Sequence, residues 1–205
     1  MYNFTIDEVS FSIIDLETTS LSPETGEIIE IAAIKYEGFV ITDKFYTLVQ
    51  PSTKLVPKNI SQLTGITTAM IIDQPKIEEI FDSFLDFIDD TVLVAHNAKF
   101  DLAFLNYVSR KLYGKEIKLP VICTCNLARR LYPEVKSKSL SSLAHYFNVP
   151  FERKHRAMSD AVVTLEIFKR MLELLQDFNI TRMTDIIKLS QNKQVKHQYK
   201  RRRYV

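Results

Sequence analysis

The chain has 205 residues, of which 46% are hydrophobic and 25% are charged, as is ordinary for a soluble globular protein. This length predicts one domain with a substantial core. No apolar run approaches the ~20 residues of a membrane-spanning helix, and the first residues lack the basic segment of a signal peptide. The two cysteines, Cys123 and Cys125, do not indicate a disulfide framework. We therefore expect a cytoplasmic protein with no membrane partner.

The formal net charge of +2 conceals a basic C-terminal end. Residues 193–205 contain six Lys or Arg and no acid, which leaves 21 basic against 25 acidic residues in the rest of the chain. We predict a folded domain over 1–180, followed over 181–205 by a last helix and a disordered basic tail. Such a tail is either a solvated end, an arm for nucleic-acid phosphates, or a docking segment for a protein partner.

The hydrophobic periodicity predicts an α/β fold. Three consecutive strands followed by strand–helix alternation indicate a mixed sheet covered by helices. Strands are predicted at 10–17, 28–36, 40–49, 91–95 and 120–124, with a turn at Glu37-Gly38 between the second and the third. Helices are predicted at 57–64, 76–89, 99–113, 125–132, 139–147, 157–176 and 181–190.

The first predicted strand carries two acids in an otherwise apolar run. Side chains alternate along a strand, so Asp15 and Glu17 project from one face, about 7 Å apart. A lone D-x-E pair is often solvated or salt-bridged. On a buried strand, however, two carboxylates need partners or a metal, and carboxylate oxygens favour a hard divalent cation.

Two further acids stand near the beginnings of predicted helices. Asp101 shares a helical face with Leu105 and Leu112, where a carboxylate is anomalous unless a ligand requires it. Asp160 lies at the edge of the apolar face of the helix at 157–176, and His155 precedes that helix closely enough for its ring to reach the same site. Taken singly, the acids could be ordinary first-turn residues, and His155 could belong to an exposed basic loop.

These residues fall in three ordered motifs, D-x-E-T-T-S-L from Asp15 to Leu21, H-N-A-x-F-D-x-x-F-L from His96 to Leu105, and H-x-A-x-x-D from His155 to Asp160. In this order they resemble the DEDDh 3′–5′ exonucleases, most closely the epsilon proofreading type of bacterial DNA polymerase III and related polymerase domains. The resemblance runs from about residue 8 to 175. It implies a ribonuclease H-like fold and the release of nucleoside 5′-monophosphates from DNA 3′ ends, in proofreading or repair.

The resemblance also implies a catalytic centre with two Mg²⁺ or Mn²⁺ ions. Two-metal sites place such ions about 3.5–4 Å apart, where they activate water and neutralise phosphate charge. Asp15 would bridge both ions, Glu17 and Asp160 would hold the ion on the side of the nucleophile, and Asp101 would hold the other. His155 would act as general base, because imidazole titrates near neutral pH.

A pocket for the terminal nucleotide follows from the same resemblance. Backbone groups at the end of the first motif would receive the 3′ hydroxyl, leucines would pack on the terminal base, and residues of the second motif would support the wall. The residues predicted to bind substrate are Thr18, Thr19, Leu21, Leu63, Thr64, His96 and Phe100.

Two positions depart from the family pattern, since Ser20 stands where Gly is usual and Cys123 where Asp is common. Neither change removes a predicted metal ligand. Three functions stay open: a 3′–5′ exodeoxyribonuclease that serves a DNA polymerase catalytic subunit, an exoribonuclease of the oligoribonuclease or RNase T type, and a non-catalytic module that binds nucleic acid or a polymerase. The complete set of four acids and His155 argues against the third.

Overall fold

A computed structural model describes residues 4–151 and 154–191, so the predicted tail at 193–205 lies outside the described residues. The strands are β1 (Phe11–Thr18), β2 (Ile28–Glu37), β3 (Val40–Leu48), β4 (Val92–Ala95) and β5 (Val121–Cys123). The helices are α1 (Lys58–Thr64), α2 (Thr68–Ile71), α3 (Ile77–Ile88), α4 (Lys99–Tyr113), α5 (Thr124–Leu131), α6 (Leu140–Tyr146), α7 (Ala157–Asp177) and α8 (Met183–Ser190). None of the helices described is both long and apolar enough to cross a membrane.

The strands form one mixed sheet in the order β3-β2-β1-β4-β5. The pairs β1–β2 and β2–β3 are antiparallel, whereas β1–β4 and β4–β5 are parallel. The predicted α/β fold with a mixed sheet covered by helices is therefore confirmed. Because β1 and β4 run in parallel at the centre, the residues that follow both strands meet at one edge of the sheet, where ligands bind in open α/β folds.

Helices pack on both faces of the sheet. Phe11 of β1 contacts Phe168 of α7 edge to face, with ring centroids 5.2 Å apart. Leu16 of β1 belongs to the core on the other face, together with Phe104 of α4. Since side chains alternate along β1, Asp15 and Glu17 both lie on the α7 side.

The structure corrects two details of the sequence prediction. The turn between β2 and β3 is formed by Gly38 and Phe39, one residue later than predicted, with φ angles of 52° and 66°. Positive φ at both central residues is the pattern of the two-residue turns that match strand twist. The short helix α2 was not predicted, because four residues are too few to show a helical hydrophobic period.

The last described helix packs on the main core. Met183, Ile186 and Leu189 of α8 are fully buried against it, and Thr5 forms a bridge with Arg182. The predicted boundary after residue 180 remains a prediction, but the apolar face of α8 is part of the core of the preceding residues.

Candidate active site

The two acids of the first motif lie at the C-terminal end of the central strand. The β1–β2 register shifts between Glu17 and Thr18, so that Glu17 pairs with Glu30 whereas Thr18 pairs with Ile28. An irregularity of this kind bends a strand locally and re-aims its side chains. The end of β1 thus projects its acids over the edge of the sheet where β4 also ends.

Asp101 reaches this edge from the other face of the sheet. β4 ends at Ala95, and Asn97 turns the chain with φ of 65°, a left-handed conformation that Asn tolerates. Helix α4 then begins at Lys99, and Asp101 lies in its first turn with only 3% of its surface exposed. The N-terminal end of a helix favours a negative charge, which suits a carboxylate there.

The third motif approaches from the α7 side. His155 has φ of 58°, and the chain then extends through Arg156 into α7, whose first turn contains Asp160. Potential ligand atoms of Glu17, His155 and Asp160 lie within 4.8 Å of one another. Residues 138 positions apart in sequence are therefore in reach of a single ion.

A cleft of about 380 Å³ unites the three motifs. Leu21 and Leu63 at this cleft are 88% and 52% exposed, so the cleft presents apolar surface beside its acids. The predicted site residues that line the cleft are Asp15, Glu17, Thr18, Leu21, Leu63, Thr64, His96, Phe100, Asp101, His155 and Asp160.

Four other residues line the same cleft without having been predicted as site residues: Leu16, Ser20, Ile60 and Asn97. Asn97 carried a sequence signal, because it lies between the two residues His96 and Asp101 that had been selected from the same motif. The signal for Ile60 was its position one helical turn before the predicted residues Leu63 and Thr64 of α1.

Thr19 is the one predicted site residue that does not line the cleft. Its N–H donates to the carbonyl of Glu27 at 2.9 Å, and its hydroxyl accepts from the Glu27 N–H at 2.9 Å. Both groups therefore stabilise the start of β2. The neighbouring Thr18 hydroxyl donates to the carbonyl of Ser20 at 2.6 Å.

Ser20, which replaces the usual Gly, shapes the turn after the first motif. Its hydroxyl donates to the carbonyl of Ser22 at 3.0 Å and lies 2.9 Å from the hydroxyl of Thr25. A β-carbon at Gly26 would lie 2.5 Å from the Ser20 hydroxyl oxygen, so this close approach requires glycine at position 26.

His96 supports the wall of the cleft. Its Nδ1 lies 2.9 Å from the hydroxyl of Thr124, the first residue of α5. Burial lowers the pKa of His96 to about 4, so the ring is neutral at physiological pH. A neutral ring fixed in this way is suited to packing and hydrogen bonding and does not supply a positive charge for phosphate.

All four acids of the cleft are held in surroundings that disfavour their charged forms. Burial is the main cause, and it raises the pKa of Glu17 to about 8, that of Asp101 to about 8 and that of Asp160 to about 7. The pKa of Asp15 is raised well above its usual range by burial and then by the neighbouring acids Asp101, Asp160, Glu17 and Glu30. A divalent cation would offset this concentration of negative charge.

One carboxylate oxygen of these four acids lacks a hydrogen-bond donor among the described residues. Oδ1 of Asp160 is buried and has no hydrogen-bond donor among residues 4–151 and 154–191. Buried oxygens normally have a donor or a metal. The acids and this oxygen therefore fit a site for divalent cations.

Sequence reasoning also missed Glu30, which is fully buried beside this cluster. Its carboxylate accepts hydrogen bonds from Arg156, Tyr46 and the N–H of Ala157. The sequence signal for Glu30 was an acid within the apolar run of β2. Its pairing with Glu17 is seen only in the structure.

Comparisons with known proteins agree with this arrangement. The family model described as Exonuclease matches residues 12–168. The DNA polymerase III subunit epsilon of Aquifex aeolicus is 42% identical over 166 residues, which cover 81% of this chain and 82% of that protein. The PolC-type DNA polymerase III of Thermotoga maritima is 39% identical over 185 residues, which cover 90% of this chain but only 13% of that much longer protein.

A solved structure shows the same architecture. Exonuclease X in complex with 5′ overhanging duplex DNA superposes with a TM-score of 0.68 at 28% identity, covering 86% of this chain and 99% of that one. The mixed sheet flanked by helices is accordingly the ribonuclease H-like fold of solved DEDDh exonucleases, as the sequence motifs predicted.

Proposed function

This chain belongs to the exonuclease family and is a 3′–5′ exonuclease, a phosphodiester hydrolase, and we propose that it removes nucleotides from DNA 3′ ends in proofreading or repair. The observation that carries the proposal is the convergence of four acids and an exposed histidine on one cleft bordered by exposed leucines. The products expected from this reaction are nucleoside 5′-monophosphates.

We propose that Asp15, Glu17, Asp101 and Asp160 hold two Mg²⁺ or Mn²⁺ ions. Hard divalent cations prefer carboxylate oxygens, and the raised pKa values of these acids mark a site that a cation would stabilise. When bound, two such ions neutralise the phosphate charge, activate water and assist the departing 3′ oxygen. Glu17 and Asp160, whose ligand atoms lie within 4.8 Å of those of His155, would hold the ion on the side of the attacking water, Asp15 would contribute to both ions, and Asp101 would hold the other.

His155 is assigned the role of general base. Its side chain is exposed and lies within reach of Glu17 and Asp160, so a ring nitrogen can accept a proton from water at the site and return it to solvent. Because the ring is exposed, it can exchange that proton directly with solvent between cycles. The exposed position therefore suits the proposed task.

The same cleft offers a place for a terminal nucleotide. Leu21 and Leu63 present apolar surface on which a base can pack, and Thr64 and Phe100 line the same cleft. A backbone group at Thr18 is proposed to receive the 3′ hydroxyl, because Thr18 lines the cleft whereas the N–H of Thr19 is bonded to Glu27. A free 3′ end would then be required, because a continuing strand would collide with this wall.

The proposed substrate is a single-stranded or frayed 3′ end of DNA, and the proposed partner is a DNA polymerase catalytic subunit in the cytoplasm. Support comes from the similarity to a polymerase III epsilon subunit and to Exonuclease X, which was solved with DNA. RNA 3′ ends are the alternative substrate, since the motifs of the cleft do not themselves distinguish the two sugars.

Digestion of matched 5′-labelled single-stranded DNA and RNA, each with Mg²⁺, Mn²⁺ or EDTA, tests the proposal. We expect ladders that shorten from the 3′ end of DNA, faster than those of RNA, and no digestion in EDTA. Preferential digestion of RNA would replace the DNA assignment by the alternative. Digestion that persists in EDTA would contradict the metal assignment.

A further inference from the structure

Glu30 is a fully buried acid whose carboxylate accepts from four donors in two parts of the chain, Tyr46 and the adjacent residues Arg156 and Ala157. Oε1 accepts from Nη2 of Arg156 at 2.7 Å, from Nε of Arg156 at 3.0 Å and from the hydroxyl of Tyr46 at 2.8 Å. Oε2 accepts from the N–H of Ala157 at 2.8 Å. Nη2 of Arg156 also donates to the Tyr46 hydroxyl at 2.9 Å. We call Glu30, Tyr46 and Arg156 the β2 clamp.

The β2 clamp holds the first turn of α7. Arg156 occupies the N-cap position but makes no side-chain cap hydrogen bond, so an N–H at the start of the helix needs another acceptor. Glu30 of β2 supplies that acceptor, since its carboxylate accepts from the N–H of Ala157. The position of Asp160, one turn further on, is therefore tied to β2.

The clamp also adjoins the proposed general base. His155 precedes Arg156 directly and has φ of 58°, a left-handed conformation that is unfavourable for a residue with a β-carbon. His155 is exposed, whereas the Arg156 side chain is only 15% exposed. The anchored Arg156 thus opposes relaxation of the strained backbone at His155.

From this geometry we propose that Glu30, acting through Arg156, is a positioning residue that sets His155 and Asp160 against Glu17. The inference rests on the proposed roles of these three residues. A buried ion pair rarely gains stability over apolar side chains of similar volume, but its fixed fork geometry can select one arrangement. Glu30 is flanked in β2 by Ile29 and Ile31, so an apolar residue would be expected at position 30.

Three variants test the clamp by steady-state kinetics on 5′-labelled single-stranded DNA with Mg²⁺. Glu30→Gln removes the charge at nearly constant shape, Arg156→Gln removes its partner, and the third variant combines both. We expect each single variant to lower kcat about ten- to a hundredfold while KM changes by less than about threefold, because misplacement by 1 Å can cost about a hundredfold. The double variant should be little slower than the slower single variant.

A matched control separates positioning from loss of stability. Leu175 is fully buried near the far end of α7, so Leu175→Ala destabilises the same helix away from the clamp. At a comparable decrease in Tm, this control should retain the kcat of the wild type. If Glu30→Gln lowers kcat no more than Leu175→Ala does, or if the two clamp substitutions have additive effects on kcat, the clamp is only structural and the proposal is overturned.

Should Glu30→Gln fail to fold, Arg156→Lys provides the second test, since it keeps the charge and loses the fork. We expect its kcat to fall by about tenfold, and a kcat within twofold of the wild type would overturn the proposal.

A readout independent of activity is the NMR signal of the His155 ring, assigned with His155→Ala. It should shift or broaden in Arg156→Lys and be unchanged in Leu175→Ala, and an unchanged signal in both would contradict the clamp. If the wild-type protein does not digest DNA but the His155 signal still shifts in Arg156→Lys, the proposed function is contradicted and the clamp is supported.

Discussion

Glu17 and Glu30 pair directly across the antiparallel β1–β2 ladder, although both side chains are acidic. Like charges in such a pair destabilise a sheet unless something neutralises one of them. Arg156 lies 2.7 Å from Glu30 and thereby neutralises one member of the pair. Among residues 4–151 and 154–191 no salt bridge to Glu17 is formed, and its pKa rises to about 8, chiefly through burial and then through Asp160 and Glu30. The fold thus neutralises Glu30 internally and leaves Glu17 available to the cation proposed for this site.

The first prediction concerns the metal ions. Asp15→Asn should abolish cleavage without lowering the Tm of the metal-free protein, because it removes one charge from a crowded cluster of acids. The measurements are digestion of labelled DNA with Mg²⁺ and thermal unfolding in EDTA. Asp73→Asn, at an exposed position outside the cleft, is the matched control and should behave as the wild type. A fully active Asp15→Asn would refute the proposed two-metal centre.

The second prediction concerns the general base. His155→Ala should lower kcat by about 10²–10⁴-fold, the usual contribution of such a group, and change KM much less. His145→Ala provides the comparison, since His145 is also an exposed histidine but lies on α6 outside the cleft. A His155→Ala variant within a few-fold of the wild type would return His155 to an ordinary loop position.

The third prediction concerns the dependence of stability on pH. In the metal-free fold the pKa of Asp101 is about 8 and that of Asp160 about 7, mainly because of burial, against about 4 in an unfolded chain. The folded state therefore retains protons that the unfolded state releases. This contribution to stability is fully present below about pH 4 and is lost as pH rises towards 8.

Thermal unfolding in EDTA between pH 5 and pH 8 measures this effect. The Tm of the wild type should fall with rising pH, and that of Asp101→Asn should fall less. Mg²⁺ at pH 8 should restore the Tm, because a cation binds only the folded site. Equal pH dependence in the wild type and Asp101→Asn would show that the acid is not held in its neutral form.

The fourth prediction concerns recognition of the 3′ end. Leu21→Ala should raise KM for single-stranded DNA with little change in Tm, because this side chain is 88% exposed and packs little in the fold. Leu55→Ala is the matched control, since Leu55 is 61% exposed but does not line the cleft. If both variants raise KM equally, Leu21 has no specific part in binding.

The same pocket predicts a preference for unpaired ends. Mismatched 3′ ends should be digested faster than paired ones, because unpairing a terminal base costs less at a mismatch. A 3′ phosphate should block digestion. Rates on matched, mismatched and 3′-phosphorylated duplexes measure both effects, and efficient cutting of circular single-stranded DNA would contradict an end-binding pocket.

The fifth prediction concerns the basic segment at 193–205. If it contacts phosphates, a chain ending at Asn192 should bind single-stranded DNA more weakly. The slope of the logarithm of the binding constant against the logarithm of the salt concentration should become shallower by up to about 4, the value for six cations. The kcat at saturating substrate should barely change, because the cleft lies in residues 15–160. Equal slopes for the two chains would leave the segment as a solvated end or a docking segment for a protein partner.

Much of this protein was determined by the sequence alone. The period of two in β1 placed Asp15 and Glu17 on one face, and the helical period set Asp101 and Asp160 near the starts of α4 and α7, as the structure confirms. These are local patterns, and a strand or helix of sufficient length repeats them often enough to be read. The order of the three motifs then indicated the family and its fold.

Only the tertiary structure decided how the motifs meet and what holds them. The pairing of Glu17 with Glu30, and the contact of Glu30 with Arg156, 126 positions away in sequence, depend on sheet register and on the packing of α7. The same applies to Thr19, whose hydrogen bonds to Glu27 exclude it from the cleft lining. No local period encodes such contacts, because they arise between segments that become neighbours only when the hydrophobic core forms.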